Sequence, residues 1–254
     1  MEYRPAARGL PAPWVTMAET GRLWPSSAGK EPGAGSRISS TKGRNMFTGI
    51  VSAIGNIIKV SPYGKGDRDA GLRLMIEAPG FLRDSTKLGD SIAIQGACMT
   101  VVARTADTFS VDVSRESLKR TAGLDEKGEV NLEHALRMGD SLDGHLVSGH
   151  VDGLGEVTRF EPVGESWELR IAIPQSLSRY LAYKGSITVN GVSLTVNSVN
   201  DTASGCEISI NLIPHTVEVT TLKNLSAGAL VNLEIDMIAR YVERMVSLRT
   251  VKEN

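Results

Sequence analysis

The chain has 254 residues, a formal net charge of −1, only 5% aromatic residues and two cysteines. Near-neutrality argues against nucleic acid or an anionic membrane as partner, because either needs a basic face, and no apolar run approaches the roughly 20 residues that span a bilayer. Two cysteines cannot make a disulfide framework, which points to a reducing, cytoplasmic location. Abundant Val, Ile, Thr and Gly suit closed β structure better than helix bundles.

Residues 1–45 stand apart. They are rich in Pro, Gly, Ser, Ala and Arg, follow neither a 3.6 nor a 2.0 period, and have no apolar block like a signal peptide's. Such a composition cannot offset the entropy of ordering, so the segment is expected to be disordered, or to precede a natural start at Met46. Its Arg and Ser content resembles a transit peptide's, but Glu2, Glu19 and Glu31 weaken that reading.

From Met46 the chain is patterned. Residues 48–60 read as a strand and 61–67 as a turn-rich break. Residues 71–78 alternate Leu72, Leu74 and Ile76 with Arg73, Met75 and Glu77, a half-buried strand. A helical turn over 79–88 precedes a long strand, 91–104, bent at Gly96. A strand over 108–113, a short helix over 116–121 and a strand over 130–133 complete the set. The same order then returns: strands at 146–160 and 167–173, a helix over 174–183, a bent strand over 186–199, a strand over 207–213, a helix over 215–221 and a strand over 231–234.

A shift of about 100 residues lays Thr48-Gly49-Ile50-Val51 onto Ser148-Gly149-His150-Val151, the kind of fixed-period self-match that marks a repeat architecture. Gly96, Cys98 and Thr100 fall on Gly191, Ser193 and Thr195, and Val130-Asn131-Leu132-Glu133 returns as Val231-Asn232-Leu233-Glu234. The prediction is an all-β protein of two tandem six-stranded antiparallel Greek-key barrels, 46–142 and 143–235, followed by a helix over 236–250. In that helix Met237, Ile238, Tyr241, Val242, Met245 and Leu248 form a stripe, with Arg240, Glu243 and Arg244 facing away. The stripe must cover either its own barrel or other subunits, and its place outside both repeats favours the second.

The polar residues suggest a site. His145 and His150, read on one strand, point to opposite faces and cannot chelate one metal. With no Cys-x-x-Cys or His-Glu-x-x-His, no metal is predicted. His145 reads as a turn residue, whereas His150 replaces Ile50 of the other repeat and marks divergence for function. Cys98 and Ser193 keep a thiol or hydroxyl at matched places. With Thr100 and Thr195 on the same faces they make polar strips for the edge of a flat heteroaromatic ligand. Cys206 has no echo and reads as structural, Lys184 as solvated, and Asp236 as the cap of the last helix. Glu116-Ser117 and Pro214-His215-Thr216 stand at matched strand-to-helix junctions.

Four motifs now combine: Met46-Phe47-Thr48-Gly49-Ile50-Val51, Gly144-His145-Leu146-Val147-Ser148-Gly149-His150-Val151, Gly191-Val192-Ser193-Leu194-Thr195-Val196 and Leu212-Ile213-Pro214-His215-Thr216. Together they closely resemble the alpha-chain type of riboflavin synthase, from Met46 to about Leu248. The resemblance implies a homotrimer that dismutates two molecules of 6,7-dimethyl-8-ribityllumazine, with no metal or redox cofactor. A four-carbon unit passes between them, giving riboflavin and 5-amino-6-(D-ribitylamino)uracil. It places one lumazine in each barrel, and pairs the first barrel of one subunit with the second barrel of its neighbour.

Carried over position by position, the first pocket takes Gly49, Ile50 and Val51, then Cys98, Met99 and Thr100, and then Asp112, Val113, Ser114, Arg115, Glu116 and Ser117. The second takes Gly149, His150 and Val151, then Lys184, Ser193, Leu194 and Thr195, and then Asn211, Leu212, Ile213, Pro214, His215 and Thr216. His150 is the candidate for proton transfer, Cys98 and Ser193 for assistance at the ring carbon, and Asp236 for orienting a proton-transfer partner. Gln95, Ala97 and His215 depart from the family's usual residues. A non-catalytic lumazine- or flavin-binding antenna protein of the same fold is the competing reading.

Overall fold

The structure is a computed structural model and describes residues 46–63 and 71–250. The expectations for residues 1–45 and for most of the 61–67 break lie outside the described residues. The first repeat forms β1 (Ala53–Pro62), β2 (Leu72–Glu77), β3 (Ser91–Ile94), β4 (Ala97–Arg104), β5 (Thr108–Val113), α1 (Arg115–Arg120) and β6 (Gly128–His134). The second forms β7 (Gly153–Val163), β8 (Ser166–Pro174), α2 (Gln175–Ser178), β9 (Ser186–Val189), β10 (Val192–Thr202), β11 (Gly205–Leu212), α3 (Pro214–Glu218) and β12 (Leu230–Ile235), and α4 (Met237–Thr250) follows.

Each repeat closes into a six-stranded barrel, in the circuits β1-β2-β5-β4-β3-β6 and β7-β8-β11-β10-β9-β12. The two circuits are the same, element for element. Even the register shifts match: between Ile57 and Lys59 in β1 and between Val157 and Arg159 in β7, then between Val101 and Ala103 in β4 and between Val196 and Ser198 in β10. Alternation sends Ile57, Leu74, Ile76, Val111 and Leu132 into one core and Val157, Leu169, Ile171, Ile208 and Leu233 into the other, all of them buried. Each such side chain contributes about 1.5–3 kcal/mol relative to exposure.

Several predicted elements change. The long bent strands are hairpins. Gln95 and Gly96 have φ of 50° and 86°, Asn190 and Gly191 φ of 48° and 82°, the paired positive values of a two-residue turn whose twist matches its strands. Residues 79–88 form turns rather than a helical turn, and the helix expected over 174–183 is only the four-residue α2. The first strand of each repeat starts later than predicted. Residues 46–52 and 143–152 are lead-in segments outside the ladders, because their backbone groups are taken up elsewhere.

The lead-ins hold the barrels together. Phe47 and Val147, counterparts under the repeat, exchange two backbone hydrogen bonds of 2.8 and 3.0 Å, and Phe47 is fully buried against Ala93 and Val147. The four-residue repeat on β6 and β12 acquires a role at each position. Val130, Leu132, Val231 and Leu233 fill the cores. Asn131 donates to the Asn190 carbonyl and Asn232 to the Gln95 carbonyl, which stitches each barrel to the other's hairpin turn. Glu133 accepts from the Thr48 N–H and hydroxyl and from the Gly49 N–H, and Glu234 accepts from the Ser148 and His150 N–H groups. Gln95, longer than the Asn190 it mirrors, accepts from the Asn131 N–H as Asn190 does from the Asn232 N–H.

In the terminal helix Arg240 and Glu243 lie opposite the apolar stripe, as expected, and that opposite face is the one turned to the barrel. Ala239 packs on the second barrel, while Arg240 and Glu243 reach inward to Asp152 and Arg179 at 2.7 and 3.2 Å. Ile238, Tyr241, Val242, Met245 and Leu248 are left exposed. Apart from the half-buried Met237, the apolar stripe does not pack on its own barrel.

Candidate functional site

Where each lead-in goes decides the site. The Gly149 carbonyl accepts from the Cys98 N–H at 2.8 Å, and the Gly49 carbonyl accepts from the Ser193 N–H at the same distance. Each lead-in therefore lies along the β hairpin of the opposite barrel. Contact is so close that a Cβ on Gly149 would sit 2.6 Å from that of Cys98, and one on Gly49 would sit 2.6 Å from that of Ser193. Both glycines also have positive φ, 73° and 76°. This corrects the sequence-based grouping, which put Gly49, Ile50 and Val51 beside Cys98 and put Gly149, His150 and Val151 beside Ser193. The segments are exchanged, because the chain crosses from one barrel to the other before its first strand begins.

The first pocket is a cavity of about 160 Å3 lined by Cys98 and Met99 of β4, Glu116 and Ser117 of α1, and Gly149 and His150. Arg120, His150 and Val151 also border a wider cleft of about 410 Å3, whose wall includes Ser148, Asp152, Glu234 and Arg240. Ser114 caps α1, its hydroxyl accepting from the Ser117 N–H at 3.0 Å, and Arg115 opens the helix. Thr100 is exposed on β4. Asp112 is held in a two-pronged pair with Arg73, and Val113 is a core side chain. Burial pushes the Cys98 thiol up, a Ser91 hydrogen bond opposes this, and the Glu234 charge adds to it. The net direction leaves less thiolate than the sequence reading assumed.

The second site gathers Gly49, Ser193 and an unexpected member. His145, read as a turn residue, has Nδ1 2.7 Å from the Ser193 hydroxyl and Nε2 3.3 Å from the Thr188 hydroxyl. Burial lowers its pKa, with the Asp236 charge opposing, which favours the neutral imidazole. The two histidines do not share a strand at all. His145 is half-buried against Ser193 and Thr188 of the second barrel, and His150 borders the open cleft.

Ile50 is exposed and Val51 packs on the second core. Leu194 and Leu212 point into that core, while Thr195 is exposed. The Asn211 amide oxygen accepts from the Ser166 hydroxyl, Ile213 is exposed, and Pro214, His215 and Thr216 make the first turn of α3. Lys184 has φ of 62° and donates to the Asn197 side chain at 3.1 Å. Asp236 accepts from the Ile238 N–H at 2.8 Å, the capping role expected of it.

Four side chains that sequence reasoning did not single out surround these residues: Glu133, Asp152, Glu234 and Arg240. Glu234 is the most perturbed. Burial raises its pKa to about 7, backbone bonds from the lead-in oppose this, and the nearby Asp152 charge adds to it. The letter-for-letter repeat was the available signal for the two glutamates. Nothing in the local sequence links Asp152 to Arg240.

The lumazine binding domain family matches twice, at residues 48–135 and 148–236, so its two copies follow the two barrels with their lead-ins. The chain belongs to the riboflavin synthase family. The riboflavin synthase of Photobacterium phosphoreum is 40% identical over 203 residues, spanning 79% of this chain and 89% of that one. That of Mycobacterium bovis is 43% identical over 209 residues, spanning 79% and 98%. Among solved structures, LumP complexed with 6,7-dimethyl-8-(1'-D-ribityl) lumazine superposes with a TM-score of 0.63 at 28% identity, covering 74% of this chain and 98% of that one.

Proposed function

We propose that this member of the family carries out the riboflavin synthase reaction, and that the exchanged, paired sites are what make it possible. Two molecules of 6,7-dimethyl-8-ribityllumazine bind in similar pockets. One gives a four-carbon unit to the other, yielding riboflavin and 5-amino-6-(D-ribitylamino)uracil. The observation that carries the reading is the unequal furnishing of two equivalent places. A thiol, Cys98, and His150 line one, and a hydroxyl, Ser193, meets His145 in the other. A reaction between two identical molecules gains from being held face to face. It also needs the two to be treated differently.

His150 is the proton-transfer group. It borders the first pocket, its counterpart in the other repeat is the non-titratable Ile50, and its backbone is held by Glu234. Cys98 and Ser193 stand where the ring edge lies and stabilise an adduct at the electrophilic ring carbon. The remaining pocket residues hold the ring and the ribityl hydroxyls. The exposed stripe of α4 supports a homotrimer, in which the first barrel of one subunit meets the second barrel of its neighbour, and the near-neutral chain with two free cysteines fits the cytoplasm.

LumP, matched at 28% identity, keeps a non-catalytic binding role in view. Incubation with the lumazine alone separates the two. Riboflavin fluorescence appears if the protein is the enzyme, and tight binding without product marks a carrier. His150→Ala is expected to slow turnover about 100-fold while lumazine still binds. An unchanged rate would remove His150 from the chemistry.

A further inference from the structure

The second lead-in is fastened at one point that the first lacks. Two residues past His150, the Asp152 carboxylate accepts two bonds from one Arg240 nitrogen of α4, at 2.9 and 2.7 Å, and a third from the Ile235 N–H. Its side chain is 15% exposed. Glu234, on the strand that runs directly into α4, holds the Ser148 and His150 N–H groups. The same cleft is walled by His150, Asp152, Glu234 and Arg240. In the first barrel Glu133 makes the matching grip on its lead-in, and the Ser52 N–H donates to Leu132 as the Asp152 N–H does to Leu233. There the likeness stops, because Ser52 replaces Asp152 and no helix follows β6 in the way that α4 follows β12.

We infer that Asp152 and Arg240 are a positioning pair that ties the segment carrying His150 to the inner face of α4, so that the seating of α4 fixes where His150 sits. The helix is attached to its own barrel chiefly by Ala239, this pair and the Arg179–Glu243 pair, while its apolar stripe faces outward. Anything that covers the stripe therefore bears on the site through Arg240. A charged pair anchored to backbone and shielded on one side is suited to this, since its geometry is more directional than an apolar contact. The inference rests on the proposed proton-transfer role of His150 only where turnover is the readout.

The test uses the full chain with imidazole-labelled histidine. In Arg240→Gln the His150 ring resonances shift while those of His134 and His215 stay in place, the sedimentation mass is unchanged, and kcat falls about tenfold with KM little altered, the effect of a misplaced group rather than a lost binding contact. Arg240→Lys recovers part of both the shift and the rate. Should Arg240→Gln lose mass or fail to fold, Asp152→Asn cuts the same link from the barrel side, and its His150 resonances decide. Resonances identical to the parent's in the deciding variant overturn the inference. Moved resonances with unchanged turnover keep the pair and discard His150 as the proton carrier.

Discussion

The two barrels are built alike but are furnished with different side chains where they form the sites. Both have the same strand circuit, the same bulges, the same stitching asparagines and the same clamping glutamates. Among the places where they part, four lie around the sites: Ile50 against His150, Ser52 against Asp152, Ala93 against Thr188, and Cys98 against Ser193. None of these four pairs supplies a large core side chain. The difference teaches that the scaffold keeps apolar character in its cores and hydrogen-bonding character at the stitching positions, and lets the chemistry change at these few places between them.

Three changes break or sharpen that comparison. Phe47→Ala removes the fully buried ring at the crossing point and is expected to cost about 3–5 kcal/mol in denaturant unfolding. Both sites suffer together. Gly149→Ala and Gly49→Ala are milder, each adding about 1–3 kcal/mol of strain at a positive φ, and each acts on one site. If each barrel takes one lumazine as proposed, titration of either variant is expected to fall from two bound molecules per chain to one. The first variant empties the Cys98 site and the second the Ser193 site, the reverse of what an unexchanged chain would give.

The smallest effect is electrostatic. The Glu234 pKa is raised from 4.5 to about 7 on folding, so between those values the native state binds more protons than the unfolded one. Its contribution to stability is present below pH 4.5 and is lost as pH rises through about 7. Glu234→Gln should gain on the parent in melting temperature as pH is raised from 5 to about 7.5. A difference that shrinks over that range would mean that the lead-in bonds, not burial, dominate this carboxylate.

The barrels and their duplication were legible because core positions alternate with period two and because paired elements repeat the same letters. The hairpins were not. A Gln before Gly96 hides a turn that Asn190-Gly191 announces openly, and the first copy set the reading for both. The lead-in exchange left no local trace, since Gly49 and Gly149 carry the same pattern whichever barrel they touch. Only the backbone bonds of Gly149 with Cys98 and of Gly49 with Ser193 reveal it. The α4 stripe and the charges opposite it were legible, but not what those charges meet, because Arg240 finds a carboxylate 88 residues earlier in the chain. His145 escaped for the same reason, its partner Ser193 lying 48 residues away.

At the centre, Phe47 meets its own counterpart under the repeat, and each donates to the other. A contact of that kind is isologous, the signature of two like subunits around a twofold axis. This chain is in effect a dimer written on a single string. A pair of identical subunits joined in the same way could never place histidine in one half and isoleucine in the other, because one gene would set both. Covalent joining frees the two halves to vary separately. The linkage between the barrels thus makes possible a partnership of unequal sites inside a symmetric frame.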